Sequence, residues 1–212
     1  MFKDCCQLYL VTPQKLDPKV FTNDLAAAID AGNVACVQLR LKEISRDEVA
    51  RAIDILRPTV QDRDVAFILN DDPELAVETG CDGVHVGQDD MSYRDARKFV
   101  GEGAIVGMTC LDSSDLAMRA AEEGADYVAF GAFYPTNTKT SKGRPSPDIL
   151  TKWSTFTTVP CVAIGGIRPE NCSDLINAGA DFLAVVSAIW NHPEGPAAAV
   201  KNFNNIIEMS AS

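Results

Sequence analysis

The polar residues best placed to do chemistry close two short apolar runs. Val65–Leu69 runs into Asn70-Asp71-Asp72, and Gly83–Val86 into Gly87-Gln88-Asp89-Asp90. If the two runs are parallel neighbouring strands, each presents an amide and a carboxylate at the same end. Hard oxygen ligands in that number suit Mg²⁺, which takes one or two carboxylates and leaves its other positions to water and substrate phosphate. Metal-assisted chemistry on a phosphorylated ligand is the expectation. A third run adds positive charge. In Gln38-Leu39-Arg40-Leu41-Lys42 the alternate residues share one face of an extended chain, so an amide and two cations point together.

The nearby residues divide by role. Asp72 precedes Pro73 and reads as a helix N-cap, which leaves Asp71 available for a metal. Ser92 can cap the next helix, so Asp89 and Asp90 are not needed there. His85, inside an apolar run, reads as a packed, hydrogen-bonded histidine, and His192 reads as a surface residue.

Composition narrows the partner. A net charge of −11 argues against nucleic acid, which needs a basic footprint. A phosphorylated ligand must then be met by a local basic island or a metal, against the overall field. The stretch 132–145 supplies such an island with Lys139, Lys142 and Arg144, several hydroxyls, and Gly143 and prolines as hinges for a lid. The sequence has no apolar run long enough for a membrane span, and its start lacks a basic-then-apolar leader. Seven scattered cysteines without a C-x-x-C pair read as reduced thiols. A cytoplasmic protein acting on small molecules, with no nucleic acid or membrane partner, is expected.

These residues need a scaffold. Strand-like runs begin at Gln7, Cys36, Val65, Gly83, Ala104, Tyr127, Cys161 and Phe182, about 25 residues apart on average. Helical connections lie between them: Ser45-Arg46-Asp47-Glu48 and Ser92-Tyr93-Arg94-Asp95 are capping-box-like starts. A glycine tag recurs where helix returns to strand, at Gly32, Gly80, Gly124 and Gly179, roughly two βα units apart each time. Eight such units in 212 residues predict one α/β domain over 1–212, a (β/α)₈ TIM barrel. Its active site belongs at the C-terminal strand ends. Thr109 ends the fifth strand there. Gly165-Gly166-Ile167 and Val186-Ser187-Ala188 follow the seventh and eighth, where such barrels bind phosphate.

Together, Gln38–Lys42, Leu69–Asp72, Asp82–Asp90, Gly124–Val128, Pro135-Thr136-Asn137-Thr138-Lys139, Ala163–Ile167 and Val185–Ile189 resemble the thiamine-phosphate synthase family, in order along nearly the whole chain. The resemblance implies transfer of a hydroxymethylpyrimidine group from its pyrophosphate to a thiazole phosphate, giving thiamine phosphate and pyrophosphate by Mg²⁺-assisted dissociative substitution. It assigns Gln38, Arg40, Lys42, Asn70 and Lys139 to the pyrimidine pyrophosphate, and Asp71 and Asp90 to Mg²⁺. Thr136, Thr138, Gly166, Val186 and Ser187 fall to the thiazole phosphate. Lys139, Arg40 and Thr109 form the implied catalytic set, Thr109 also touching substrate. Two positions depart from the family pattern: Thr109 stands where serine is usual, and Leu111 where thiazole tautomerase relatives carry histidine. The alternatives are a tautomerase-like relative, which the missing histidine disfavours, a non-catalytic barrel binding phosphorylated thiamine precursors, and another phosphate-handling barrel enzyme. The sequence leaves the oligomeric state open and admits a homo-oligomer.

Overall fold

In a computed structural model of the protein, which describes residues 6–136 and 143–210, the eight strands close into one parallel barrel. They are β1 (Gln7–Val11), β2 (Val34–Leu39), β3 (Ala66–Asn70), β4 (Gly83–Val86), β5 (Ile105–Leu111), β6 (Tyr127–Gly131), β7 (Cys161–Ile164) and β8 (Phe182–Val185). Between them run α1 (Pro18–Ile29), α2 (Arg46–Gln61), α3 (Pro73–Glu78), α4 (Tyr93–Val100), α5 (Ser114–Glu122), α6 (Asp148–Phe156) and α7 (Ser173–Asn177). The short α8 (Ser187–Trp190) and then α9 (Pro196–Ser210) follow β8. Closure is made by β1 against β8, with Gln7 opposite Phe182 and Leu10 opposite Val185. The predicted (β/α)₈ barrel is the observed architecture.

Strand alternation separates two apolar bodies. Leu8, Leu10, Val37, Leu39, Phe67 and Leu69 point outward into the layer shared with the helices. Tyr9, Val11, Tyr127, Ala129, Val162 and Ala184 point inward and pack on one another inside the barrel. The inward set stops short of the C-terminal mouth, so the barrel is filled at its base and open above.

The expected helix starts are present. Ser45 and Glu48 form a reciprocal capping box on α2. The Asp72 side chain accepts from Leu75 N at 2.9 Å to cap α3, and Ser92 caps α4 through Asp95 N. Arg46 bridges α2 to α3 by pairing with Asp72 at 3.1 Å and Glu78 at 3.0 Å.

The recurring glycine tag has a structural partner in the residue two positions on. Asp82, Asp126 and Asp181, each just before an even-numbered strand, accept the backbone N–H of Phe67, Val106 and Cys161 at 2.7, 2.7 and 2.8 Å. Each carboxylate thereby satisfies a donor near the start of the preceding odd-numbered strand, where the ladder to the following strand has not yet begun. Asn33 does a related job for the first pair, accepting from Gln7 Nε2 at 2.6 Å. That shared device explains why the tag repeats every two βα units rather than every one.

The strand limits differ from expectation by two or more residues in two places, and by single residues elsewhere. β2 begins at Val34, because Val34 pairs with Leu8 ahead of an irregularity in the ladder. β5 continues to Leu111, pairing with Phe130 across a second irregularity after Thr109. Leu111 there adopts a left-handed backbone, φ 56°.

Candidate active site

The inward parity of the strands continues past their ends into a single cavity of about 930 Å³ at the C-terminal mouth. Gln38, Arg40 and Lys42 line one wall, Asn70 and Asp71 the next, then His85 and Asp90, then Thr109. Thr136, Gly166, Val186 and Ser187 line the opposite side. Eleven of the thirteen expected site residues thus converge on one space; Thr138 and Lys139 lie outside the described residues.

The acidic corner is built by backbone geometry. Asp71 sits at φ 73°, a left-handed conformation that Asp and Asn tolerate better than other side-chain-bearing residues. Its N–H donates to the His85 carbonyl at 2.9 Å, which locks the end of β3 against β4. Across the gap, Asp90 Oδ2 accepts from Gly87 N at 2.8 Å, folding the β4 loop back toward the mouth. Lys42 Nζ donates to Asp71 Oδ2. Arg40 is anchored from below, its N–H donating to Thr12 Oγ1 at 3.0 Å.

The charges at this corner are unevenly balanced. Burial works against ionisation of Asp71, but the hydrogen bonds with Lys42 and Asp90 and the charges of Lys42 and Arg40 together hold its carboxyl below the usual range. Asp90 is pushed up, first by burial and then by the Asp71 carboxylate beside it. Burial also draws Arg40 down, opposed by the charges of Asp71 and Asp90.

Two carboxylates meet here, and Asp90 is raised by burial and by Asp71 even with Lys42 beside the pair. Among the described residues no third His, Cys, Asp or Glu joins them. Two carboxylates without a full protein cage fit Mg²⁺ and do not fit a structural zinc site.

A raised carboxyl favours the folded state below its unfolded value and loses that contribution as pH rises through its folded value. Once ionised, Asp90 is therefore a small liability to the metal-free protein. Asp90→Asn should raise the melting temperature of the metal-free protein by about 1–2 °C, corresponding to about 0.5 kcal/mol after solvent screening. It should lower activity at the same time. Thermal unfolding in a chelator, beside a turnover assay, checks both signs.

The opposite side is shaped for close backbone approach. At Gly166, φ 65°, an added Cβ would lie 2.5 Å from the Pro135 carbonyl and 2.8 Å from Tyr134 Cβ. Only glycine lets the β7 loop press against the β6 loop here. Ser187 opens α8 beside Val186.

Several lining residues were not singled out by the sequence. Tyr9 and Tyr127 form the cavity floor with Gln38, and Gln88, Arg168 and Asn191 join its rim. Arg168 brings a described cation to the phosphate side; Arg144, part of the expected basic island, is exposed and does not line the cavity. His85 is buried and hydrogen-bonded, as expected, but it also faces the cavity. Its Nδ1 lies 2.9 Å from Tyr127 Oη and its Nε2 2.7 Å from Thr109 Oγ1. Gly107 makes room for this arrangement, since a Cβ there would fall 1.9 Å from the Tyr127 ring. Leu111 lines the wall in place of the tautomerase-type histidine.

Comparison with known proteins gives a consistent answer. A family model described as thiamine monophosphate synthase matches residues 8–189. The thiamine-phosphate synthase of Rhodospirillum centenum is 62% identical over 202 residues, covering 95% of this chain and 98% of that one. The thiamine-phosphate synthase of Hyphomonas neptunium is 46% identical, with 97% and 95% covered. Among solved structures, thiamine phosphate pyrophosphorylase from Pyrococcus furiosus superposes with a TM-score of 0.84 at 27% identity over 99% of each chain. Orotidine 5'-phosphate decarboxylase from Pyrococcus horikoshii, at 17% identity and a TM-score of 0.69 over 94% of this chain and 99% of that one, shares the fold alone. By sequence, fold and the residues gathered at its mouth, the chain belongs to the thiamine-phosphate synthase family of transferases.

Proposed function

We propose that the protein joins a hydroxymethylpyrimidine pyrophosphate to a thiazole phosphate, releasing pyrophosphate and forming thiamine phosphate. The observation that carries this reading is that one cavity presents two separate sets of residues suited to holding phosphate. Gln38, Arg40, Lys42, Asn70, Asp71 and Asp90 stand on one side, and Thr136, Gly166, Val186 and Ser187 on the other.

The pyrimidine ring lies over the floor, with its pyrophosphate directed to Arg40, Lys42 and Asn70. Mg²⁺ held by Asp71 and Asp90 would neutralise charge on the departing pyrophosphate. Arg40 and Lys42 add fixed positive charge where the leaving group gains electrons. The bond between the methylene carbon and the pyrophosphate oxygen breaks, its electron pair leaving with the oxygen. The thiazole nitrogen then uses its lone pair to form the new bond to the methylene carbon. Thr136, Gly166, Val186 and Ser187 hold the thiazole phosphate so that this nitrogen faces the carbon, an orientation effect. Thr138 and Lys139 complete the two sets in this reading, on the strength of the sequence motif. A side-chain nucleophile is not required.

The substrates are small molecules, the protein is one domain over residues 1–212, and its cellular site is the cytoplasm. The free thiols of Cys36, Cys81, Cys110 and Cys172 suit a reducing compartment. None of the described helices is long and apolar enough to cross a membrane.

Chelation tests the metal assignment. Thiamine phosphate formation from the two precursors should stop on addition of EDTA and return with excess Mg²⁺. Undiminished turnover in EDTA would remove the metal from the scheme.

A further inference from the structure

The cavity floor carries a hydrogen-bonded chain across the barrel. Gln38 Nε2 is 2.8 Å from Tyr9 Oη, Tyr9 Oη 2.8 Å from Tyr127 Oη, Tyr127 Oη 2.9 Å from His85 Nδ1, and His85 Nε2 2.7 Å from Thr109 Oγ1. Five side chains from β1, β2, β4, β5 and β6 take part. The tyrosines are held by ring contacts as well: Tyr127 stacks on His85 at 5.6 Å and meets Tyr9 edge-on at 5.8 Å.

The chemistry of each group sets the direction of donation. An amide nitrogen only donates, so the Tyr9 oxygen accepts from Gln38. The buried Tyr9 hydroxyl then places its own hydrogen on Tyr127, because a buried hydroxyl hydrogen left without an acceptor is costly. Tyr127, having accepted, donates to His85 Nδ1. The imidazole must therefore be neutral with its hydrogen on Nε2, from which it donates to Thr109 Oγ1. The Thr109 hydroxyl, its oxygen engaged, offers its hydrogen to the cavity it lines. Burial pushes the ionisation of both tyrosines well above the ordinary range, so each remains a hydroxyl.

We propose that Tyr9, Tyr127 and His85 are positioning residues that fix the polarity of the cavity floor, so that Thr109 and Gln38 meet the ligand as donors through Thr109 O–H and the second Gln38 N–H. Two fixed donors at opposite ends of a flat floor suit a heteroaromatic ring with acceptor nitrogens at its edge. The ligand assignment rests on the pyrimidine side of the function proposed above; the polarity of the chain does not. Thr109 in this arrangement needs its hydroxyl, not its extra methyl, so serine at this position would preserve the role.

The test has two independent arms. With His192→Asn removing the only other histidine, a long-range ¹H–¹⁵N spectrum of the unliganded protein at neutral pH reads the His85 tautomer directly. A single Nε2–H form is expected. An Nδ1–H form means that the chain runs the opposite way, and it overturns the proposal, as does a doubly protonated ring. The second arm uses Tyr127→Phe, which keeps the ring and deletes the link. It should raise KM for the pyrimidine pyrophosphate about tenfold, the scale of one lost buried hydrogen bond. KM for the thiazole phosphate should stay within twofold. Equal changes in both KM values, or none, would overturn the positioning role. If the wild type turns over neither precursor, the functional reading fails while the tautomer result stands alone.

Discussion

Asp71→Asn should lower kcat/KM about a thousandfold, roughly 4 kcal/mol of transition-state stabilisation, while leaving the protein folded. Asparagine is the informative replacement because it tolerates the left-handed backbone at φ 73°. Alanine would mix chemistry with strain. The substitution removes one of the two carboxylates at the mouth and takes from Lys42 its ion-pair partner. Two changes should follow together. The Mg²⁺ concentration needed for half-maximal activity should rise, and saturating Mg²⁺ should restore only part of the rate, because an amide oxygen supplies no charge. Steady-state kinetics across a Mg²⁺ series checks both. A loss below tenfold at low Mg²⁺ would place the metal elsewhere.

Arg40→Gln should cost about a hundredfold in kcat/KM for the pyrimidine pyrophosphate, the order expected when a fixed charge facing a developing anion is removed. It should also move the acid limb of the pH profile. Asp71 is held low by the Lys42 and Asp90 hydrogen bonds and by the Arg40 charge, all acting against burial. A carboxylate with a depressed value contributes above its unfolded value and loses its contribution as pH falls through its folded value. Weakening its cationic support raises the folded value, so the acid limb should shift to higher pH. Measuring kcat/KM between pH 4 and 8 for both proteins reads the shift. An unmoved or oppositely shifted limb would show that Asp71 does not control it.

Much of the site was legible because the side-chain period of a strand is two. Gln38, Arg40 and Lys42 share a parity, so they had to face one way, and the structure turns that face into the cavity. Asn70 and Asp71 were legible as polar residues closing an apolar run, and Asp72 could be set aside by its proline neighbour. The floor was hidden for the opposite reason. Tyr9, His85 and Tyr127 lie inside strands buried on both faces, where inward and outward residues look equally apolar in sequence. Nothing local distinguishes Tyr9 in the cavity from Leu8 and Leu10 under the helices. Gly107 is equally silent, since its meaning depends on a tyrosine ring one strand away. The glycine tags were visible as a repeat, but the function of Asp82, Asp126 and Asp181 beside them as acceptors for the preceding strand required the closed sheet. The expected basic island was only partly located: Arg144 stays outside, Arg168 enters from another loop, and Lys139 and Lys142 lie outside the described residues.

The central claim is that one cavity brings a pyrophosphate donor and a phosphate-bearing acceptor together so that pyrophosphate leaves as thiamine phosphate forms. Simultaneous quantitation of both products from purified protein, Mg²⁺ and the two phosphorylated precursors tests it most directly. Thiamine phosphate and pyrophosphate should appear in equal amounts, with neither formed when the thiazole phosphate is omitted. Absence of product with both the thiazole phosphate and its carboxylated form, or pyrophosphate released without thiamine phosphate, would contradict it.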